Sequence, residues 1–524
     1  MCFSASHQYI TRGLKMHWNQ GYVSEIDYLY GYYSELNPLQ TKLKLIYAGI
    51  KPLEVQTACE LGFGQGVSLL CNAASSSIDW YGNDFNPNQV AFVNEAIDAS
   101  DLSLRVSDQS FEEYCARTDL PQFDFIALHG IWSWISESNR KIISQFIADK
   151  LKVGGVLYIS YNTEPGRTAM RPFRELMQWY SKSFTSPDKL LTDKISDSMK
   201  FMDELLSVSP AFKKAYPHVE RILNEISSKN KQYLAHEYFN ADWEPMSIKR
   251  VSDVLADCKL QFAASAHPID QIPNINFTKD QLELMQPIND PILKESIKDF
   301  CINQDFRRDL WVKGGRRLST RERIKELLSI SVTLVSPIKD ITFELKTPSG
   351  NASLDKNIYQ PVLNCLEGKS SIRLSQLAHD LKGKLDLTQL MDVCLVLAGK
   401  GNLCVALEDK TSEKIKVKTQ KLNNFFMDRA EFDQNINVLV SPVTSAAVAV
   451  NRFEQFFIKG YEEKYTKSID LAQFVWRKLK AQGQKIVSND KVLQSEEDNL
   501  KYLTILADGF IENKLPELIR LKIV

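Results

Sequence analysis

The sequence predicts a doubly wound α/β domain near its N-terminal end, followed by mostly helical and winged-helix-like domains. Three observations carry this. Between Gln56 and Asn162, short β-branched apolar runs alternate with amphipathic stretches, the pattern of a parallel sheet covered by helices. A glycine-rich turn, Gly62-Phe63-Gly64-Gln65-Gly66, joins the first apolar run to the first amphipathic one. Beyond Pro165 the alternation stops, and Pro210, Pro217, Pro245, Pro268, Pro273, Pro287 and Pro291 punctuate helical stretches.

Taken in order, residues 1–55 read as mostly helical. Strands are expected at Thr57–Leu61, Ile78–Asn83, Leu102–Ser107, Phe123–Leu128 and Gly155–Ser160, with helices at Val67–Ala74 and Asn139–Lys150. The pair Gly154-Gly155 is expected to end the second helix and start the last strand. Residues 166–330 read as helices with polar linkers. Residues 331–410 form a smaller mixed unit, with a short helix from Leu374, a second over Leu387–Leu397 and a strand over Leu403–Leu407, an order that fits a winged helix. Residues 411–524 read as helical. Leu471, Phe474, Val475 and Leu479 make an apolar stripe there, and Ser495 to Asp498 a capping box.

Composition sets the class. With 44% hydrophobic and 25% charged residues over 524 positions, the core needs no metal or disulfide to hold it. The formal charge of −1 points to neither nucleic acid nor an anionic membrane. Nine cysteines stand singly with no Cys-x-x-Cys pair, which argues against zinc and disulfides and for a reducing, cytoplasmic location. The start of the chain, Met1 to His7, has no apolar signal core, and no apolar run reaches the ~18 residues that a membrane span needs.

The glycine turn demands a physical reason. A strand that reverses into a helix needs positive φ at some positions, and a ligand approaching the backbone needs the Cβ atoms gone. The helix N-terminus then offers N–H groups to a polar ligand. Alone the turn fits a structural bend or a dinucleotide site in a Rossmann-like fold. Position 67 is Val, so the third glycine of the dinucleotide pattern is missing. Asp84, at the end of the second strand, is placed to accept from both hydroxyls of a ribose, with Phe85 beside it. Asp108, at the end of the third, is placed to accept from an adenine amino group. Together they outline a nucleoside pocket at the carboxyl edge of the sheet.

Leu151-Lys152-Val153-Gly154-Gly155 resembles a turn that recurs in class I methyltransferases. Glu60, before Gly62, Gly64 and Gly66, matches their first motif, where the acid supports the methionyl end of S-adenosyl-L-methionine. Transfer of a methyl from a sulfonium is an in-line displacement that needs alignment and exclusion of water, and aromatic faces suit the positive donor. The candidates at the reacting edge are Tyr28 and Tyr32, within a run that also holds Tyr22, Tyr30 and Tyr33, and His129 and Trp132, just past the fourth strand. His129 is a candidate to position the acceptor, take its proton or line the cofactor. Each of these also has a plain reading as packing.

A narrower resemblance runs nearly end to end. Tyr28 to Pro38, Ser160 to Arg167, Arg171 to Leu176, Asp305 to Asp309, Gly314 to Leu318, Ser441 to Thr444 and Leu479 to Gln484 look like bacterial methyltransferases with a methyltransferase regulatory domain. The rickettsial protein-lysine methyltransferases of outer-membrane protein B lie near this group. The resemblance implies a cofactor domain with a helical lid at 1–165, a helical regulatory and dimerisation domain at 166–330, a middle domain at 331–410 and a C-terminal domain at 411–524. It further implies a homodimer and N-methylation of lysine in a protein substrate. A small-molecule or nucleic-acid acceptor, or a non-catalytic cofactor-binding regulator, stays open. The basic stretch Arg307, Arg308, Lys313, Arg316, Arg317, Arg321, Arg323 and Lys325 is either a paired, solvated surface or a docking patch for an acidic partner.

Overall fold

The computed structural model describes residues 22, 29–186, 188–208, 210–217, 219, 231–348, 350–488 and 491–524. They form two compact units, one containing residues 170–243 and the other built from 29–169 with 244–524.

The larger unit is organised by a seven-stranded sheet. Its strands are β1 (Thr57–Leu61), β2 (Asp79–Asn83), β3 (Leu104–Ser107), β4 (Phe123–Leu128), β5 (Leu151–Asn162), β6 (Leu260–Ser265) and β7 (Phe306–Lys313), in the order β3-β2-β1-β4-β5-β7-β6. The first five are parallel, while β7 runs antiparallel to both β5 and β6. The chain order reverses between β1 and β4, so a crevice opens there at the carboxyl ends of the strands. Every residue of β4 is buried, as a central strand covered on both faces requires. The connecting helices are α2 (Val67–Ala74), α3 (Pro87–Ser100), α4 (Phe111–Cys115) and α5 (Glu137–Lys150), and α1 (Pro38–Tyr47) precedes them. All eight residues of α2 are buried.

Two features of this sheet differ from the sequence reading. The strand β5 starts at Leu151, directly after α5, and Gly154-Gly155 sit in an irregularity where the register against β4 jumps from Phe123↔Leu151 to Phe125↔Val156. The sheet also takes β6 and β7 from a segment that reads as helical. β7 is disguised by Arg307, Arg308 and Asp309, which look like a solvated surface. Arg307 is buried and bonds Asp309 (3.0 Å), Asp299 (2.5 Å) and Glu295 (3.0 Å), while the Tyr161 hydroxyl donates to Asp309 (2.7 Å). The basic stretch is therefore not one patch. Arg308 pairs with Glu35, Lys313 donates to the carbonyls of Ala148 and Leu151, and Arg316 pairs with Glu322.

Residues 331–406 hold a three-stranded antiparallel sheet, with Ser331–Leu334 between Ile372–Arg373 and Leu403–Ala406, and helices Lys356–Leu366, Leu374–Asp380 and Leu387–Gly399. The helix–strand–helix–helix–strand order is that of a winged helix, except that the middle strand comes from upstream. The helix Leu387–Gly399 buries Leu390, Met391 and Val393 to Leu397, and Ile269 packs on Gly399. This face is core.

The region after 410 contains helices and two hairpins, Val438–Ser441 with Ala446–Ala449 and Val487–Ser488 with Lys491–Val492. It is not separate from the sheet. Leu422, Phe426, Phe457 and Leu503 share one buried core with Leu69, Trp80 and Phe92. The first hairpin's turn reaches α1 and α2. Gln40 Nε2 donates to the carbonyls of Val405 (3.0 Å) and Thr444 (2.9 Å), and Ser75 and Ser445 exchange hydrogen bonds of 3.0 and 2.7 Å.

The smaller unit is helical where described, with Met170–Phe184, Leu191–Val208, Pro210–Ala215 and Lys231–Tyr238. Tyr180 stacks on Phe201, and the Arg174 guanidinium lies over Trp243.

Candidate active site

The glycine turn sits between the end of β1 and α2, at the crevice. Gly62, Gly64 and Gly66 all have φ near +65° (67°, 60° and 68°). A Cβ on Gly62 would lie 2.5 Å from Ile131 Cδ1, and one on Gly66 2.4 Å from Val93 Cγ2. Both positions therefore exclude a side chain by backbone angle and by space. Gly66 caps α2, whose first turn presents N–H groups to the crevice.

Two buried acids flank the turn. Asp84, just past β2, accepts from the N–H of Gly64 (2.9 Å) and of Asn86 (3.0 Å). The Gln89 side-chain amide faces the same carboxylate, placed to donate to both oxygens at 2.8 and 3.1 Å. Burial pushes the Asp84 pKa up to about 6, against the pull of the two N–H groups. Glu60, on β1, is 3% exposed, and its Oε2 has no hydrogen-bond partner among the described residues. Burial first, and the nearby Asp84 second, raise its pKa to about 8. The acid is thus left with an unmatched buried oxygen beside the glycine turn. Asp108 stands exposed past β3 and Phe85 half-buried past Asp84, both at the carboxyl edge that the sequence predicts.

The opposite wall follows β4. His129 Nδ1 lies 2.8 Å from the Tyr158 hydroxyl and 3.4 Å from Ser160 Oγ, and Ser160 Oγ accepts from the N–H of Gly130 (2.8 Å). The Tyr33 ring lies against the imidazole, tilted by 31° with 3.8 Å between centroids. Burial lowers the His129 pKa to about 4, with Glu35 opposing and Arg308 adding to the shift. The ring is therefore neutral at physiological pH. Burial raises the Glu35 pKa, but Lys44 and Arg308 outweigh it and leave the carboxyl below its ordinary value. Lys44, itself buried, is lowered to about 8.

The other sequence candidates fall elsewhere. Trp132 is fully buried in the core beneath β1, β4 and β5, with Leu61, Ile126 and Ile159, and it does not reach the wall. Tyr32 turns its buried hydroxyl toward Cys71, Cys404 and Ala447. Tyr28, with Glu25 and Asp27, lies outside the described residues. The wall instead uses Tyr33, Glu35, Tyr158 and Arg308. Only Tyr33 carried a signal, as one of five tyrosines in a run. No group of three or more His, Cys, Asp or Glu among the described residues is arranged to hold a metal, and no helix there is long and apolar enough to cross a membrane.

The family of methyltransferase regulatory domains matches residues 230–313, the stretch that supplies β6 and β7. The protein sll1526 of Synechocystis sp. is 34% identical over 514 residues, covering 97% of this chain and 100% of its own. This chain and sll1526 belong to one family, and residues 230–313 of this chain form a methyltransferase regulatory domain by the family match. Another similar protein is RP789 of Rickettsia prowazekii, at 23% identity over 92% of this chain and 91% of its own length. Among solved structures, PKMT2 from Rickettsia typhi in complex with AdoHcy matches with a TM-score of 0.69 and 19% identity, over 94% of this chain and 99% of that one. The likeness shows that the fold is shared over nearly the whole chain, the middle and C-terminal regions included.

Proposed function

We propose that this chain transfers a methyl group from S-adenosyl-L-methionine to lysine side chains of a protein. The observation that carries the cofactor reading is Glu60, whose Oε2 is buried and unmatched beside Gly62–Gly66. S-adenosylmethionine brings the missing partner, a protonated amino group, together with a ribose for Asp84 and an adenine for Asp108. The complex named for the Rickettsia typhi protein contains the demethylated product of the same cofactor, which supports the fit. The lysine reading rests on the resemblance to rickettsial protein-lysine methyltransferases.

The bound cofactor would supply an electrophilic methyl on a positive sulfur. The acceptor nitrogen attacks in line as the carbon–sulfur bond breaks, and its lone pair must be free of a proton. His129, with a pKa of about 4, is too weak a base to take that proton, so its role is to orient. An ammonium beside Tyr33 and Tyr158 loses water and meets the donor's positive charge, and both lower its pKa against the attraction of the aromatic faces. The neutral amine forms by loss of its proton to solvent.

The free state of all eight described cysteines suits a cytoplasmic, reducing setting. Trp179 and Phe184, exposed on the smaller unit, suit a homodimer contact, which light scattering would read. The function itself is tested by incubating the protein with methyl-labelled S-adenosylmethionine and a lysate of its source. Label recovered as N-methyl-lysine in protein bands is expected. Label confined to small molecules or nucleic acid refutes the lysine reading, and absence of binding to S-adenosylhomocysteine refutes the cofactor.

A further inference from the structure

The segment 29–37 is an extended strap that ends in one turn of helix, Ser34–Leu36. Two attachments bind it to α2, the helix that follows the glycine turn. The N–H of Tyr33 donates to Ser68 Oγ (2.9 Å), and Asn37 Nδ2 donates to Asn72 Oδ1 (3.0 Å). Between them, Glu35 accepts from Arg308 at 2.9 Å, and this contact alone of the three reaches the sheet. Arg308 lies on β7 directly across from Ser160 on β5. Ser160 is the residue whose hydroxyl touches both Gly130 N–H and His129. The ion pair thus joins the strap that carries Tyr33 to the strand pair that backs His129.

The uncharged bonds to α2 already hold the strap at both ends. A partly exposed ion pair adds only about 0–1 kcal/mol to stability. What the pair adds is a fixed distance between strap and sheet, which sets how the Tyr33 ring meets the imidazole. We propose that Glu35 and Arg308 are positioning residues for methyl transfer, a latch that holds Tyr33 on His129 at the acceptor edge. This rests on the methyltransferase reading above.

The charged and titratable groups around His129 are Tyr33 and Glu35 of the strap, Tyr158 of β5 and Arg308 of β7. Lys44 of α1 lies behind Glu35, and Asp270 beyond Arg308. Of these, Glu35 and Arg308 pull the imidazole in opposite directions, so removing either leaves a mark of known sign.

The variants are Glu35→Gln, Arg308→Met, Arg308→Lys and the exchanged pair Glu35→Arg with Arg308→Glu. Affinity for S-adenosylhomocysteine is read by calorimetry, initial methyl transfer to lysate protein by label, and the His129 titration by NMR of histidine-labelled protein. Glu35→Gln and Arg308→Met are expected to bind S-adenosylhomocysteine within about twofold of native and to transfer methyl about tenfold more slowly. The His129 midpoint should fall in Glu35→Gln and rise in Arg308→Met. Arg308→Lys and the exchanged pair should recover most of the rate. The proposal is overturned if the single variants transfer at the native rate, if cofactor affinity falls by the same factor as the rate, or if the exchanged pair is as slow as the single ones. Should the native protein itself label no lysate protein, the lysine reading fails, while the His129 titration and the persistence of its contact with Tyr33 still decide the latch. Unmoved titrations in both single variants would end it.

Discussion

Replacing Glu60 by Gln is expected to make the ligand-free protein more stable and the cofactor complex weaker. The carboxyl goes from an ordinary value near 4.5 in the unfolded chain to about 8 when folded. The folded state therefore holds a proton that the unfolded state releases between those two values, and stability falls as pH rises through that window. At pH 7 the penalty is about 3 kcal/mol at 1.36 kcal/mol per pH unit, and at pH 5 it is under ~1 kcal/mol. Glutamine has the same shape without the charge, so it removes the penalty and keeps the packing. Melting curves of native and Glu60→Gln protein should differ most near pH 8 and converge near pH 5. The same proton predicts a binding signature. A cationic ligand that pairs with Glu60 must ionise it, so calorimetric titration with S-adenosylmethionine at pH 7 should release about one proton, seen as a heat that tracks the buffer's ionisation enthalpy. Parallel melting curves at every pH, or a binding heat blind to the buffer, would refute the assignment of Glu60 as the unmatched acid.

Gly66→Ala would place a methyl 2.4 Å from Val93 at a positive φ, and should abolish binding of S-adenosylhomocysteine while costing at least ~1 kcal/mol of stability. Trp132→Phe, at a fully buried ring whose Nε1 meets no acceptor among the described residues, should leave the methyl-transfer rate within about twofold of native; a large loss of rate with the fold intact would restore Trp132 to the reacting edge. Arg307→Met would strand Glu295, Asp299 and Asp309 without their common cation and should lower stability by about 3–5 kcal/mol, measured by denaturant unfolding. Asn37→Ala removes the cap of α1, which accepts from Leu39 and Gln40 N–H, along with the contacts to Asn72 and Ser445, and should cost about 1–2 kcal/mol in the same measurement.

The parallel core was legible because each of β1, β2 and β4 is a short apolar run with a turn signal after it, and nothing else buries such runs on both faces. β7 was not. Its charges satisfy one another inside the protein, and pairing across 8 or 12 positions leaves no local mark. At the site, the glycines and Glu60 could be read because backbone conformation and motif spacing are local properties. The wall around His129 could not. Tyr28, Tyr32 and Tyr33 look alike in an unperiodic run, and only the strap's course, set by Ser68 and Asn72 of α2, decides which ring meets His129. Trp132 shows the same limit, because the loop after a central strand borders both the crevice and the core, and its ring is buried in the core.

The turn at Ser441–Ser445 has a consequence for how this protein can be divided. Ser445 closes on Ser75 at the far end of α2, and Thr444 holds Gln40, so the last hundred residues brace the same helix whose other end meets the glycine turn. A chain cut before residue 411 would keep every residue of the proposed cofactor pocket, yet strip the cover from Leu69, Phe92 and their neighbours and leave a wide apolar flank in water. Such a fragment should aggregate rather than serve as a minimal enzyme.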